Sequence, residues 1–316
     1  MPRVSVIVPA HNAAPFIEQA LESVRQQTYR DWEVVVVDDG SSDRTWELLK
    51  AAGAGVRSFR RAHAGGPAVA RNLALSQASG EFVAFLDADD LLLPRYLESQ
   101  LACYEEATRR RQEDVGLVTC DARILIGDEY APYTHAEQIP DRNAPITLER
   151  VLRRNPIYGA CLVPTPVGEV VGWFDPELFG TEDFGLWIKI LEAGYRAVLN
   201  TEVLAVYRRT LGTVSSNIAS QGVNNRRAYE LALGRGKLTS KQRRIARRAI
   251  RYNRAMEEVA LLRFAGARRQ NRGLRRLRSL PLLIWVALSN PRMWSKWLEL
   301  LRTGRANDAA ELRAQP

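Results

Sequence analysis

Cysteine is scarce and odd in number. The three in the chain, Cys103, Cys120 and Cys161, lie far apart without metal-ligand spacing, which argues against a disulfide framework or a thiolate metal centre and reads as buried thiols in a reducing compartment. Long apolar runs are missing too. The most apolar stretch, Leu280-Pro281-Leu282-Leu283-Ile284-Trp285-Val286-Ala287-Leu288, has nine residues, against about 20 for a bilayer span. The first apolar run, Val4-Ser5-Val6-Ile7-Val8-Pro9, is too short for a secretory signal and leads into an acid-containing amphipathic segment. No segment repeats, and the turn from Pro9 to Pro15 has no glycine-rich phosphate loop. The expectation is a cytoplasmic protein.

What is present is ordinary in amount and uneven in arrangement. At 316 residues, 46% hydrophobic and 26% charged, the chain allows one large domain or two modest ones with a full core. The net charge of +9 conceals a split: residues 226–305 hold 22 Lys and Arg against 4 Glu, a net +18, which leaves the remainder at −9.

The first half alternates apolar strands with amphipathic helices, the pattern of a doubly wound α/β sheet. Strands are predicted at 4–8, 32–37, about 56–59, 82–86 and 115–120, with helices over 15–26, from Asp43, over about 67–78, and from Pro94 to about 111. Residues 121–160 show poor periodicity and recurrent proline (Pro132, Pro140, Pro145, Pro156) and read as long loops. A second ordered block follows, with strands at 160–163 and 203–207, a short helix over 166–171, and a helix over 184–193 opened by Thr181-Glu182-Asp183. After Gly222 only helices are predicted, and Thr239-Ser240-Lys241-Gln242 has capping-box spacing.

Chemistry concentrates where two strands end. Phe82-Val83-Ala84-Phe85-Leu86 runs into Asp87-Ala88-Asp89-Asp90, and Trp32-Glu33-Val34-Val35-Val36-Val37 runs into Asp38-Asp39-Gly40-Ser41. Either group alone could be a solvated turn. Two parallel strands ending in acids make one negative cleft, at the edge of the sheet where ligands of open α/β sheets sit. Such a cleft suits Mg2+ or Mn2+ entering with substrate phosphates.

Together, the first strand and its turn, Asp38-Asp39-Gly40-Ser41, Ala70-Arg71-Asn72, Asp87-Ala88-Asp89-Asp90 and Glu182-Asp183-Phe184-Gly185-Leu186-Trp187 resemble the inverting family 2 glycosyltransferases of the GT-A fold, over about residues 3–210. The resemblance implies a Rossmann-like mixed sheet flanked by helices, a nucleotide-sugar donor, and a divalent metal, Mn2+ or Mg2+, at the diphosphate. It places Asp39 at the donor base, with Pro9 and His11 lining that pocket and Arg71 reaching the donor. It assigns Asp89 to the metal, Asp87 to ribose or metal, and Asp183 to the general base, with Glu182 as the competitor; Asp90 reads as structural. Trp173 and Trp187 read as core. The sequence departs from the pattern at Thr210, which stands where many relatives carry a histidine near the metal. It also lacks the Gln-x-x-Arg-Trp motif of processive synthases, which implies one sugar added per encounter.

The expected organisation is a catalytic domain over residues 1–220, an all-α basic extension over 221–305, and a disordered tail over 306–316. The basic section, with Trp, Leu and Arg mixed over 274–302, reads either as a solvated helix face or as a surface for the anionic inner face of the cell membrane. The second reading fits a glycan or lipid-linked acceptor in surface polysaccharide or glycolipid synthesis. Nucleic acid is disfavoured, because the acidic half carries no recognisable motif for it. The rival readings are sugar-nucleotide synthesis on a related sheet, which the missing glycine-rich loop opposes, and a basic binding protein on an inactive transferase fold, which the intact acids oppose.

Overall fold

A computed structural model describes residues 1–53, 55–111, 114–209 and 218–267. The first half contributes β1 (Val4–Ala10), β2 (Trp32–Asp38), β3 (Val56–Arg60) and β4 (Phe82–Phe85). They are joined by α1 (Ile17–Arg25), α2 (Thr45–Ala51) and α3 (Pro67–Leu75), the helical crossovers that parallel pairing requires. The second half adds β5 (Leu91–Leu92), β6 (Val115–Ile126), β7 (Glu129–Thr134), β8 (Cys161–Pro164) and β9 (Arg196–Arg209). Its helices are α4 (Tyr96–Arg111), α5 (Leu148–Arg153), α6 (Thr165–Val171), α7 (Glu182–Glu192), α8 (Ile218–Gly234) and α9 (Ser240–Ala267).

The strands form one nine-stranded sheet in the order β3-β2-β1-β4-β8-β6-β9-β5, with β7 paired to β6. Strands β3, β2, β1 and β4 are parallel; β8 then enters antiparallel between β4 and β6. Val34, Val35, Val36 and Val37 are each at most 1% exposed, so the unbroken valine run of β2 serves a strand covered on both faces. Alternate residues feed two cores. Val4, Val6 and Val8 pack toward α1 and α4, and Ile7 packs with residues of α3 and α7 on the other face.

The expectation of long loops over 121–160 is corrected. Strand β6 continues to Ile126, turns at Gly127 (φ +62°) and returns as β7, and α5 follows with Thr147 as its N-cap, accepting from the Arg150 N–H. Alternation of Asp121, Arg123 and Leu125 with buried Ala122 and Ile124 hides this strand from any search for continuous apolar runs. The last strand is likewise longer than 203–207: β9 begins at Arg196 and pairs in parallel with β6, with register shifts near Thr119 and Asp121 that absorb its polar middle.

Trp187 is fully buried, Trp173 packs against the same core, and all three cysteines are free, with Cys120 and Cys161 buried. Ala228, Tyr229, Ala232, Leu238, Ala246 and Ile250 of the α8–α9 region join the core around α7, and the Tyr229 hydroxyl donates to the Leu152 carbonyl at 3.0 Å. The capping box forms: Gln242 Oε1 accepts from the Thr239 N–H at 2.8 Å and Thr239 Oγ1 from the Gln242 N–H at 3.3 Å. No helix among the described residues is long and apolar enough to cross a membrane. Thr210, the apolar stretch 280–288, the Trp-, Leu- and Arg-rich span 274–302 and the tail 306–316 lie outside the described residues.

Candidate active site

The C-terminal ends of β1 and β2 are stitched together by their turns. The Asp39 N–H donates to the Ala10 carbonyl at 2.7 Å, which extends the strand register by one more bond. Asn12, held at φ +50°, donates its N–H to Ser41 Oγ and accepts from the Ser42 N–H through Oδ1, both at 2.9 Å. His11 places Nδ1 2.9 Å from the Asp39 carbonyl oxygen; a carbonyl only accepts, so the proton of this contact sits on Nδ1. Pro9 is half-buried beside them. Asp38 lies beneath, fully buried, with Arg60 Nε 3.0 Å from Oδ2 and the Ser41 N–H donating to Oδ1 at 3.2 Å.

Asp39 is 3% exposed, and its carboxylate is held by a loop. It accepts from the Gly65 N–H at 2.9 Å, from the Gly66 N–H at 2.7 Å and from the Arg61 guanidinium. Gly66 starts α3 at φ +89°, which lets both amides face one carboxylate. The loop closes against Gly40 (φ +68°), where an added Cβ would stand 2.7 Å from the Ala64 nitrogen and 2.9 Å from the His63 carbonyl carbon. Both are backbone atoms that cannot step aside. Gly40→Ala is therefore expected to lower stability by about 2–4 kcal/mol, read as a lower urea midpoint at unchanged slope. An unchanged midpoint would show that the loop is free to retreat from Gly40.

At the end of β4 the three acids face different surroundings. Asp90 is buried, accepting from the Tyr158 hydroxyl at 2.7 Å and from the Arg208 N–H at 2.8 Å; burial and the charges of Asp87 and Asp89 push its carboxyl well above the usual range. Asp89 is half-buried, and burial together with Asp87 raises it to about 6. The side chain of Asp87 is 48% exposed and ion-pairs with Arg71.

Arg71 joins this turn to α7. Its side chain is 8% exposed, its guanidinium carbon stands 5.3 Å from the centre of the Phe174 ring, and it donates to Asp87 and, at 2.5 Å, to Glu182 Oε1. Burial alone would depress its basicity, but Asp87 and Glu182 hold it above its ordinary value. Glu182 opens α7 and is buried, with Oε2 lacking a hydrogen-bond partner among the described residues. Asp183, the next residue, takes the Phe184 N–H at 2.6 Å and has Gly159 as a neighbour. Burial, then the Glu182 charge, raises it to about 7.

The structure thus brings Asp87, Arg71, Glu182 and Asp183 into one connected group, and Pro9, His11 and Asp39 into another at the ends of β1 and β2. Sequence reasoning did not find Arg61, Tyr158 or the Arg208 N–H. Gly65-Gly66-Pro67 ahead of a helix is the one local signal of the cradle around Asp39; nothing local marks the other three. Among the described residues no cluster of three or more His, Cys, Asp or Glu could hold a metal.

A parallel β3-β2-β1-β4 edge with acids at its strand ends, continued by antiparallel β8 and closed by an acidic helix start, is the arrangement of the GT-A fold. The Glycosyl transferase family 2 model matches residues 5–161. The Escherichia coli UDP-Glc:alpha-D-GlcNAc-diphosphoundecaprenol beta-1,3-glucosyltransferase WfgD is 30% identical over 216 residues, covering 68% of this chain and 80% of WfgD. The chain belongs to glycosyltransferase family 2. The mannosyltransferase PcManGT of Pyrobaculum calidifontis, solved with GDP-Man and Mn2+, superposes with a TM-score of 0.61 at 24% identity over 99% of this chain and 88% of its own. S. aureus TarS 1–349, solved with UDP-GlcNAc, gives 0.59 at 21% identity over 82% of this chain and 71% of its own. At these identities the two structures support the fold alone.

Proposed function

We propose that this glycosyltransferase moves a sugar from a nucleoside diphosphate donor to a hydroxyl of a glycan or lipid-linked acceptor, inverting the anomeric carbon, in cell-surface polysaccharide or glycolipid synthesis. The observation that carries the reading is the Arg71 bridge, which sets the acidic turn after β4 and the acidic start of α7 on one cleft. WfgD, by its name, glucosylates a diphosphoundecaprenol-linked sugar, and PcManGT and TarS were solved with nucleotide sugars. Residues 1–220 carry the chemistry; the basic helices beyond them face the inner side of the membrane that bears the acceptor.

Asp39 accepts a ring N–H of the donor base in place of one of its loop donors, with Pro9 and His11 beside it. Arg71 holds Asp87 toward the donor and Glu182 away from the reacting atoms. Asp183, with its carboxyl raised to about 7, takes the proton of the acceptor hydroxyl as that oxygen attacks, from the side opposite the leaving group. Asp89, with Asp87, would hold a divalent cation: two crowded carboxylates, one of them raised to about 6, are an electron-rich but incomplete set of the kind Mg2+ or Mn2+ completes with substrate phosphate and water. When bound, the cation supplies charge neutralisation at the departing diphosphate.

A thermal-shift panel of nucleoside diphosphates and nucleotide sugars, with and without Mn2+, tests this. One nucleotide is expected to raise the melting temperature with Mn2+ present, by an amount equivalent to about 2.7 kcal/mol at a hundredfold excess over Kd. Asp89→Ala is expected to lose the metal-dependent increment. No shift from any nucleotide in the folded protein would sink the reading.

A further inference from the structure

Helix α9 is built to carry charge outward. Between residues 240 and 256 it holds six Arg and one Lys with no Asp or Glu. Its apolar side is already spent: Ala246 is fully buried, Ile250 is 9% exposed, and Ile245 and Ala249 pack against the main core. Arg244, Arg247, Arg248, Arg251 and Arg254 are exposed on the other side. Within the segment Lys241 pairs with Glu149 at 2.7 Å and Arg254 with Glu230 at 3.6 Å. Arg244, Arg247 and Arg248 have none among the described residues.

Arg244 and Arg248 are spaced i,i+4, Arg244 and Arg247 i,i+3, and Arg243 and Arg247 i,i+4. On a helix surface such like-charge pairs each cost a few tenths of a kcal/mol unless an anion lies over them. Ser240, Arg243, Arg244, Arg247, Ile250 and Arg251 also line an open cleft of about 620 Å³, with no acid in its wall. The body of the molecule is net negative, so this concentration is local rather than a general property of the surface.

We infer that the outward face of α9, centred on Arg244, Arg247 and Arg248, docks on an anionic phospholipid surface by charge alone, without inserting. The buried Ala246–Ile250 side excludes insertion by this part of the helix, since its apolar residues belong to the core. An array of exposed guanidinium groups over a phosphate-rich surface gains from each contact and is screened by salt. A membrane-bound acceptor gives the docking its purpose, a link that rests on the proposed function.

Co-sedimentation of the full chain with phosphatidylcholine vesicles, and with vesicles of phosphatidylcholine and phosphatidylglycerol at three to one, gives the measurement. Binding is expected to the anionic vesicles alone and to fall steeply from 50 to 300 mM NaCl. The variant R244Q/R247Q/R248Q is expected to bind about a hundredfold more weakly, as three cations at about 1 kcal/mol each convert, with its melting temperature and nucleotide-induced shift unchanged. Equal binding to neutral vesicles, wild-type binding by the triple variant, or tighter salt-sensitive binding to duplex DNA than to anionic vesicles would each overturn the inference. Loss of the nucleotide shift in both proteins, with vesicle binding intact, would instead remove the transferase reading and leave the docking face standing.

Discussion

Asp183→Asn is expected to lose roughly a thousandfold in transfer rate and, at the same time, to unfold at a higher temperature than the parent. Both effects follow from one placement. Asp183 lies in the first turn of α7 beside Glu182, and burial plus that neighbour lift its carboxyl from an ordinary 3.8 to about 7. A folded-state value above the unfolded one means that the folded chain holds the proton more tightly. As pH rises from about 4 to about 7 the unfolded chain gives up its proton first. The group therefore subtracts stability over that window, and the subtraction is complete above about 7. Asparagine keeps the shape and removes the charge, so the gain should be larger at pH 8, on the order of 2–4 kcal/mol, than at pH 5. Catalysis has the opposite dependence. A general base works only when deprotonated, so kcat/KM should climb up to tenfold per pH unit below about 7 and level off above it. Melting curves at the two pH values and a pH–rate profile decide the matter. A variant that still transfers sugar, or Glu182→Gln failing in its place, would move the base to Glu182; a drop in stability would mean that Arg71 favours the charged form of Asp183 more than burial opposes it.

Arg71→Met should be the most damaging single change to the fold, costing about 3–5 kcal/mol. Its guanidinium is the cation that compensates Glu182, itself 5% exposed, and it spans to Asp87 on a different element. Removing it leaves the buried Glu182 carboxylate beside the half-buried Asp183. The half-exposed Asp87 can turn to water and adds little. Arg71→Lys keeps a charge but not the fork that reaches two acids at once, so it should recover only part of the loss. The double variant Arg71→Met/Glu182→Gln should be more stable than Arg71→Met alone, because the orphaned charge is gone. Urea unfolding of the parent, Arg71→Met, Glu182→Gln and the double variant yields the coupling energy directly. Additive effects, or an unchanged midpoint in Arg71→Met, would mean that the bridge is weaker than its geometry states.

The parallel half of the sheet was legible because its signals are local. A valine run buried on both faces cannot be mistaken for a half-exposed strand, and the acids of β2 and β4 follow such runs directly. The start of α7 at Thr181-Glu182-Asp183 was legible for the same reason. What stayed hidden is non-local. Arg61 reaches Asp39 across 22 positions, Tyr158 reaches Asp90 across 68, and the Arg208 N–H reaches the same acid across 118; no periodicity records such distances. Strand β6 was missed beyond Cys120 for a subtler cause. Asp121 is buried there because its Oδ1 accepts the Ala122 and Ala136 N–H groups, both at 2.8 Å, so a charged residue serves a strand interior and imitates a loop.

The staple on Asp90 also bears on time. The turn after β4 is made by residues 87–90, yet the groups that satisfy its deepest acid arrive with Tyr158, just ahead of β8, and with Arg208, near the end of β9. A growing chain can lay β1, β2 and β4 side by side before then, since all three end by Phe85 and domains form as synthesis proceeds. The acidic turn takes its final shape only after residue 208 has docked. That turn is therefore among the last parts of the fold to mature, and its final shape marks a sheet that has finished folding.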